Sequence, residues 1–477
     1  MPEHINKAAR MGRKLLRLPT KVWGTATETL ESIRAIRTQV DALRAQTSGI
    51  EREMRDMRSL SEFERDAAAM MHRSRYVGTP MRVVFLVHHP EAWYATQPVY
   101  EAMRDADDFE PIVATINRRF PGSGEFRDEE FVHERLNAFN VPHLRFRAHD
   151  SFEDLRALRM INPHIVFRQS QWDVDVPPAF SIWQLMDWRV CLIPYELMNL
   201  IDNPENGDGT DSAIDSAFHK NAWMIFVANE ALAHKAQQGV PALAGRQFRV
   251  TGHPKADVLR SMKDAAREPE CHFTVLWSAH HSIGDDWTRF GTFPHAWKVM
   301  AQLAQSHPSW HIVFSPHPAL VSMLDAAQPP LSKAEVQEFW SVWKDLPNTS
   351  VIGGGGYESV FVDSDVLLTD GLSWLLEYQF MEKPVVFIER EGHRPFNEFG
   401  RRVLDGVHTI HHADEIPHVL ETIKHGNTPN LVAQQRKVVD ELLPIQGAAH
   451  NILNAIRTQI ARENACNSPS VTHGDLN

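Results

Sequence analysis

Cysteine is scarce in this chain. Cys191, Cys271 and Cys466 are the whole complement among 477 residues, far apart and in no CxxC pair. A disulfide framework and a cysteine-type zinc site are excluded, and a reducing, cytoplasmic setting is expected. Long hydrophobic runs are missing too. No stretch approaches the roughly 18–20 apolar residues of a spanning helix, and the N-terminus lacks the apolar core of a secretory signal. Positive charge is in deficit, with 49 Lys and Arg against 61 Asp and Glu and a net charge of -12. General nucleic-acid binding is not expected, because its affinity rests on neutralising phosphates. The 43% hydrophobic and 23% charged content is that of a folded globular protein, long enough for about three units.

The first 24 residues depart from this average. Lys7, Arg10, Arg13, Lys14, Arg17 and Lys21 face a single Glu3, interleaved with Leu15, Leu16, Leu18, Val22 and Trp23. Such a segment can lie on an anionic membrane surface, or it can be a solvated start. Residues 25–77 form a second unit. Ile33, Ile36, Val40, Leu43, Thr47, Ile50, Met54 and Met57 are spaced 3-4-3-4-3-4-3, the a/d seam of a heptad repeat. The other positions are charged, so a long helix that self-associates is expected. The alternative is a helix packed on its own body.

After Gly78-Thr79-Pro80 the rhythm changes to short apolar runs alternating with amphipathic stretches. Strands are predicted at 82–87, 112–116, 164–167, 189–193, 223–228 and 248–251. A second series follows at 273–277, 311–314, 350–352, 366–369 and 385–388. Helices are predicted over 128–139, 230–238, 294–306, 332–343, 372–381 and 414–424. This alternation predicts α/β architecture: two Rossmann-like, doubly wound domains over 78–245 and 246–425, facing a cleft. Helices at 426–463 and a disordered tail at 464–477 complete the chain.

Ligands of open parallel sheets bind beyond the C-terminal strand ends. The first strand is followed by His88-His89-Pro90, the strand at 273–277 by Ser278-Ala279-His280-His281-Ser282, and the strand at 311–314 by Ser315-Pro316-His317-Pro318. The strand at 366–369 ends in Thr369 and leads into Asp370-Gly371-Leu372-Ser373, with Glu377 one turn on. Helix N-termini and neutral histidines suit an anionic ligand. Asp370 and Ser373 can equally be plain helix caps. Gly353–356 lacks the lysine of a phosphate loop and reads as a connection. His280 and His281, being adjacent, point to opposite faces, and no HExxH occurs, so no metal is expected.

Gly252-His253-Pro254-Lys255-Ala256-Asp257 resembles the Gly-x-Pro-Arg-x-Asp motif of the CDP-glycerol glycerophosphotransferase family, which makes teichoic-acid-like polymers. Phe314-Ser315-Pro316-His317-Pro318 is similar to its strand ending in His-Pro. Ser364-Asp365-Val366-Leu367-Leu368-Thr369-Asp370-Gly371-Leu372-Ser373 resembles its Ser-Asp-x-Leu-Ile-Thr-Asp-Tyr-Ser-Ser signature. Trp277-Ser278-Ala279-His280-His281-Ser282 with Thr292-Phe293 looks like a variant from capsule branches of the group. The order matches, and the resemblance is dense over 250–390.

The resemblance implies a GT-B fold, with the nucleotide-activated donor on the C-terminal domain and a glycan or lipid-linked acceptor on the N-terminal one. It implies transfer without a metal, and no cofactor is expected. His281 and His317 are the expected catalytic groups beside the diphosphate. Gly252, Lys255, Ser278, His280, Ser282, Pro318, Thr369, Asp370, Gly371, Ser373 and Glu377 are the expected donor-binding set. Lys255 stands where the motif has Arg, Gly371-Leu372 where it has Tyr-Ser, and the family's N-terminal His-Gly has no match. Ile193-Pro194-Tyr195-Glu196 follows the strand where it would lie, so His88 or His89 is the replacement candidate for the acceptor base. A nucleotide-sugar glycosyltransferase of the same fold, and an inactive coiled-coil scaffold, are the rival readings.

Overall fold

The computed structural model describes residues 75–467, except 120–124, 208, 241, 264–271, 327–328 and 354–357, together with scattered helical positions between 33 and 73. It divides into two units, 1–70 and 71–477. In the first, the described positions are helical, and the seam residues Ile33, Ile36, Val40, Leu43, Met54 and Met57 are exposed. The basic segment, Ile50 and the far C-terminal tail lie outside the described residues.

The larger unit holds two parallel sheets. The first comprises β1 (Met81–Val87), β2 (Phe109–Ile116), β3 (Leu144–Phe146), β4 (Ile165–Arg168), β5 (Arg189–Leu192), β6 (Met224–Val227) and β7 (Phe248–Val250), in the order β3-β2-β1-β4-β5-β6-β7. The second comprises β8 (Phe273–Ala279), β9 (Trp310–Pro316), β10 (Thr349–Val351), β11 (Val366–Thr369), β12 (Val385–Ile388) and β13 (His408–Ile410), in the order β10-β9-β8-β11-β12-β13. The central strands are buried almost throughout, which is why they read as continuous apolar runs such as Val83–Val87. Two short strands escaped the sequence reading. β3 and β13 have three residues each and lie at sheet edges, as do β7 and β10, which the pattern did find.

Eight helices matter for the site: α1 (Trp93–Arg104), α2 (Pro254–Lys263), α3 (Phe293–Ser306), α4 (Pro318–Asp325), α5 (Lys333–Asp345), α6 (Ser373–Glu377), α7 (Val432–Leu442) and α8 (Ala448–Asn467). Prolines open α2 and α4, where a missing N–H costs nothing. α5 begins with a Ser332–Glu335 capping box. Helix α6 is shorter than the pattern suggested and tightens into a 3-10 turn over Tyr378–Met381.

The chain stitches the two sheets together. Leu197, Met198, Leu200 and Ile201, beyond β5, pack in one core with Leu276, Leu367 and Phe387 of the second sheet. Ile201 bridges Phe396, and Asn397 Nδ2 donates to Asn199 O at 2.9 Å. Helix α8 returns to the first sheet, burying Ile452, Leu453, Ile456 and Ile460 beside Val99 and Met103 of α1. It runs to Asn467, so positions 464–467, expected in a disordered tail, are helical; Asn464 Nδ2 donates to Val77 O at 2.9 Å.

Candidate active site

In each sheet the strand order reverses once, between β1 and β4 and between β8 and β11. Diverging connections open a crevice at such a point. The first crevice is bordered by His88 and His89 after β1 and by the turn Gln169–Asp175 after β4. The second is bordered by 278–282 after β8 and by Asp370-Gly371 after β11.

In the second crevice three histidines converge. Ring centroids are 4.3 Å apart for His280 and His281, 4.5 Å for His281 and His317, and 5.7 Å for His280 and His317. His280 is buried. Its Nδ1 accepts from Ser282 N at 3.2 Å and lies 2.7 Å from Ser282 Oγ, which accepts the Phe290 N–H at 2.7 Å. The Ser282 hydroxyl proton therefore points at Nδ1, and the His280 ring proton sits on Nε2. His317 caps α4: its Nδ1 accepts from Ala319 N at 3.1 Å, so its own ring proton is also on Nε2. Pro318 opens that helix beside it. The His281 Nδ1 is buried without a partner among the described residues.

Burial and the two neighbouring rings hold the His280 pKa well below the usual value. His317 is exposed at the strand end, with a dense surround of protein beneath the ring. That surround, followed by His281 and His89, lowers its pKa well below the usual value. His89, at the first crevice, is near enough to act on His317 electrostatically.

Three hydroxyls line the strand ends. Ser315, Ser278 and Thr369 are register neighbours across β9, β8 and β11 and share one sheet face. The Ser278 and Ser315 hydroxyls make no hydrogen bond among the described residues. Ser315 was not among the expected donor-binding residues, although its strand-end position next to His317 was the signal.

Several expected donor-binding residues have other work. Asp370 is 2% exposed. Its Oδ1 accepts from His280 N at 2.6 Å, and its Oδ2 accepts from Thr292 N at 2.5 Å and Thr292 Oγ1 at 2.7 Å. It does not cap α6; it ties the β8 loop to the start of α3. Thr369 Oγ1 accepts from Gly371 N at 2.9 Å. Gly371 has ordinary backbone angles, and a Cβ there would lie 3.3 Å from Thr369 Oγ1 and 4.0 Å from the His280 ring. Ser373 is the first residue of α6, half-buried. Glu377 is buried, and its Oε1 accepts from Lys255 Nζ at 2.9 Å, so that oxygen is engaged rather than offered to a ribose. Gly252, at φ +81°, makes the turn into α2, where a Cβ would lie 2.9 Å from Ile445 O. Its neighbour His253 donates from Nε2 to Pro194 O at 2.8 Å. The Gly-His-Pro-Lys motif thus joins the lobes. The glycine run is described only at Gly353; positions 354–356 lie outside the described residues.

In the first crevice, Gln169 clamps the histidine loop. Its Oε1 accepts from His88 N at 2.9 Å and His89 N at 3.0 Å, and its Nε2 donates to His89 O at 3.1 Å. His88 is 1% exposed, and neither ring nitrogen has a hydrogen-bond partner among the described residues. His89 is half-buried, its ring 4.3 Å from that of His88. Burial, then Arg118, brings the His89 pKa down to about 3. Tyr195 and Glu196 lie after β5. Burial raises the Glu196 pKa, and the Glu196 carboxylate raises that of Tyr195.

No protein-family model and no curated protein matches the sequence. Solved structures do match its fold. Staphylococcus aureus MnaA, in a structure with UDP, is 13% identical, covers 80% of this chain and 97% of its own, and has a TM-score of 0.54. The wall teichoic acid polymerase TagF, in a variant soaked with CDPG, is 12% identical, covers 85% and 97%, and has a TM-score of 0.50. The chain has the GT-B fold. Two parallel sheets with opposed strand ends are what the resemblance implied.

Proposed function

We propose that the protein is a transferase that moves glycerol phosphate from CDP-glycerol, or a related activated donor, to a cell-envelope polysaccharide or lipid-linked acceptor. The observation that carries this reading is the convergence of His281 and His317, from two of the matching motifs, at the switch point of the second sheet, opposite a second histidine pair on the first. A TagF structure among those of similar fold supports it.

In this reading the acceptor oxygen attacks the phosphorus bearing glycerol. The P–O bond to CMP breaks, and CMP leaves with the electron pair. His317 Nε2–H and His281 donate hydrogen bonds to the diphosphate. Both rings are neutral at pH 7, so they start as donors of hydrogen bonds, and the arriving anion raises their basicity. Ser278 and Ser315 add hydroxyl donors. The acceptor proton passes to His89, which borders the opposite crevice and faces His317. Positioning and electrostatics carry most of such a phosphoryl transfer.

A second reading, transfer of a sugar from a nucleotide sugar, is favoured by the UDP in the MnaA structure. Incubation with CDP-glycerol and with a panel of nucleotide sugars, scoring the released nucleotide, separates the two. We also propose that the heptad seam pairs with a second copy and that the basic segment contacts an anionic membrane surface. Among the described residues no helix is long and apolar enough to cross a membrane.

A further inference from the structure

Asp175 lies in the turn after β4, across the switch point from the β1 loop. A carboxylate oxygen of Asp175 and ring nitrogens of His88 and His89 all lie within 4.8 Å of one another. The carboxylate is held in place: Asp175 Oδ2 accepts from Ser170 Oγ at 2.9 Å, and Ser170 Oγ in turn accepts the Trp172 N–H at 3.1 Å. The histidine backbone is clamped from the same turn by Gln169. Two adjacent residues and one strand end therefore fix an imidazole pair and a carboxylate against each other. Both ring nitrogens of buried His88 lack a hydrogen-bond partner among the described residues.

We propose that Asp175 is the positioning residue for the acceptor-side base His89; this rests on the transferase reading above. Of the two histidines, His89 is half-buried and has surface to meet an acceptor, and it acts on His317 electrostatically, whereas His88 is buried. A carboxylate accepting the proton-bearing nitrogen of His89 leaves the other nitrogen's lone pair for the acceptor. When the acceptor O–H attacks phosphorus, its proton moves to that nitrogen. The P–O bond to the leaving nucleotide breaks with its electron pair, and the imidazolium formed is stabilised by Asp175. Burial lifts the Asp175 pKa, so its carboxylate is poorly hydrated and gains from such a partner.

A divalent cation would want the same three donors. The charges around them oppose it. Arg118 and Arg168 stand near His88, Arg118 near His89, and Arg168 and Arg119 near Asp175. Glu91 and Asp128 pair with Arg118 and Asp173 pairs with Arg168, so these carboxylates are already engaged by arginines.

The test uses the full chain labelled with 15N-histidine, the His89 signals being assigned by their loss in His89→Gln. The wild type should show one His89 tautomer at neutral pH, and Asp175→Ala a mixture. In transfer assays Asp175→Asn, which is isosteric, should lower kcat by roughly 10²–10³-fold with donor KM changed less than about twofold, and Asp175→Glu should recover part of the loss. An unchanged His89 tautomer in Asp175→Ala overturns the proposal. So does a donor KM that rises in step with the loss of kcat, which marks a structural role. Stoichiometric Zn²⁺ binding that Asp175→Ala abolishes also overturns it, in favour of a metal site. A wild type that transfers from neither donor class sinks the transferase reading alone, and the tautomer still decides whether Asp175 holds His89.

Discussion

Asp370 shows how burial reassigns a side chain. Its place at a strand end before a helix suggested a ligand or a cap, and the fold instead closes three donors onto it. Burial raises its pKa to about 6 despite those bonds. Asp370→Ala should leave the His280 and Thr292 N–H groups unsatisfied and lower the melting temperature, with activity lost through disorder of the β8 loop. His317→Ala and His281→Ala should instead keep the fold and cut turnover by roughly 10²–10⁴-fold. Thermal melts beside rate measurements separate the two classes. An active His317→Ala protein would remove that residue from the mechanism.

The buried histidines also set the acid limit of stability. His88 and His280 are held well below the ordinary value, His219 is near 4 and His253 near 3, each first by burial. The unfolded chain binds protons at these sites below pH about 6.5 while the folded one does not. Stability is therefore full above that pH and falls as pH drops toward the folded values. Each site contributes a slope of up to about 1.4 kcal/mol per pH unit. Asp154, Asp175, Glu196 and Asp370, whose carboxyls burial raises, act in the opposite sense, but the lowered histidines also include His89, His281 and His317. Denaturant titrations from pH 7.5 to 4.5 should show a steady loss. A flat profile would mean the histidines are charged in the folded state.

At the scale of elements, the motif 252–257 is a joint. Lys255 and Glu377 are both buried and pair at 2.9 Å, linking α2 to α6. Removing one charge strands the other, so Lys255→Met should cost about 3–5 kcal/mol, whereas the paired apolar replacement should recover most of it. Gly252→Ala forces a side chain into a left-handed turn against Ile445 and should cost about 1–3 kcal/mol. Chemical denaturation of the single and double variants checks both. Eleven of the strands were legible because parallel strands covered on both faces must be apolar throughout. β3 and β13 were not; β7 and β10, at the other two edges, are equally short and were found. The strand-end histidines were legible as a set. That Glu377 meets Lys255, that Asp370 turns inward, and that Gln169 and Asp175 come to the His88-His89 loop depends on contacts between segments some 80 or more residues apart, which no local pattern encodes.

At the scale of the whole molecule, α7 packs in the core of the second sheet and α8 returns to the core of the first. Ile33, Ile36, Val40 and Leu43, among the described helical positions near the N-terminus, are exposed. Burial of each against a second copy is worth about 1.5–3 kcal/mol. Light scattering should give a dimer or larger for the full chain and a monomer after deletion of residues 1–70. Equal mass per particle for the two would remove the seam as an interface. The central claim is that opposed histidine crevices transfer glycerol phosphate from CDP-glycerol. The most direct measurement is CMP release from CDP-glycerol with a glycerol-phosphate-primed acceptor, in wild type and His317→Ala. The account predicts release coupled one-for-one to acceptor growth in the wild type and its loss in the variant. Release of UDP or another nucleotide from a sugar donor, with CDP-glycerol left intact, would contradict it.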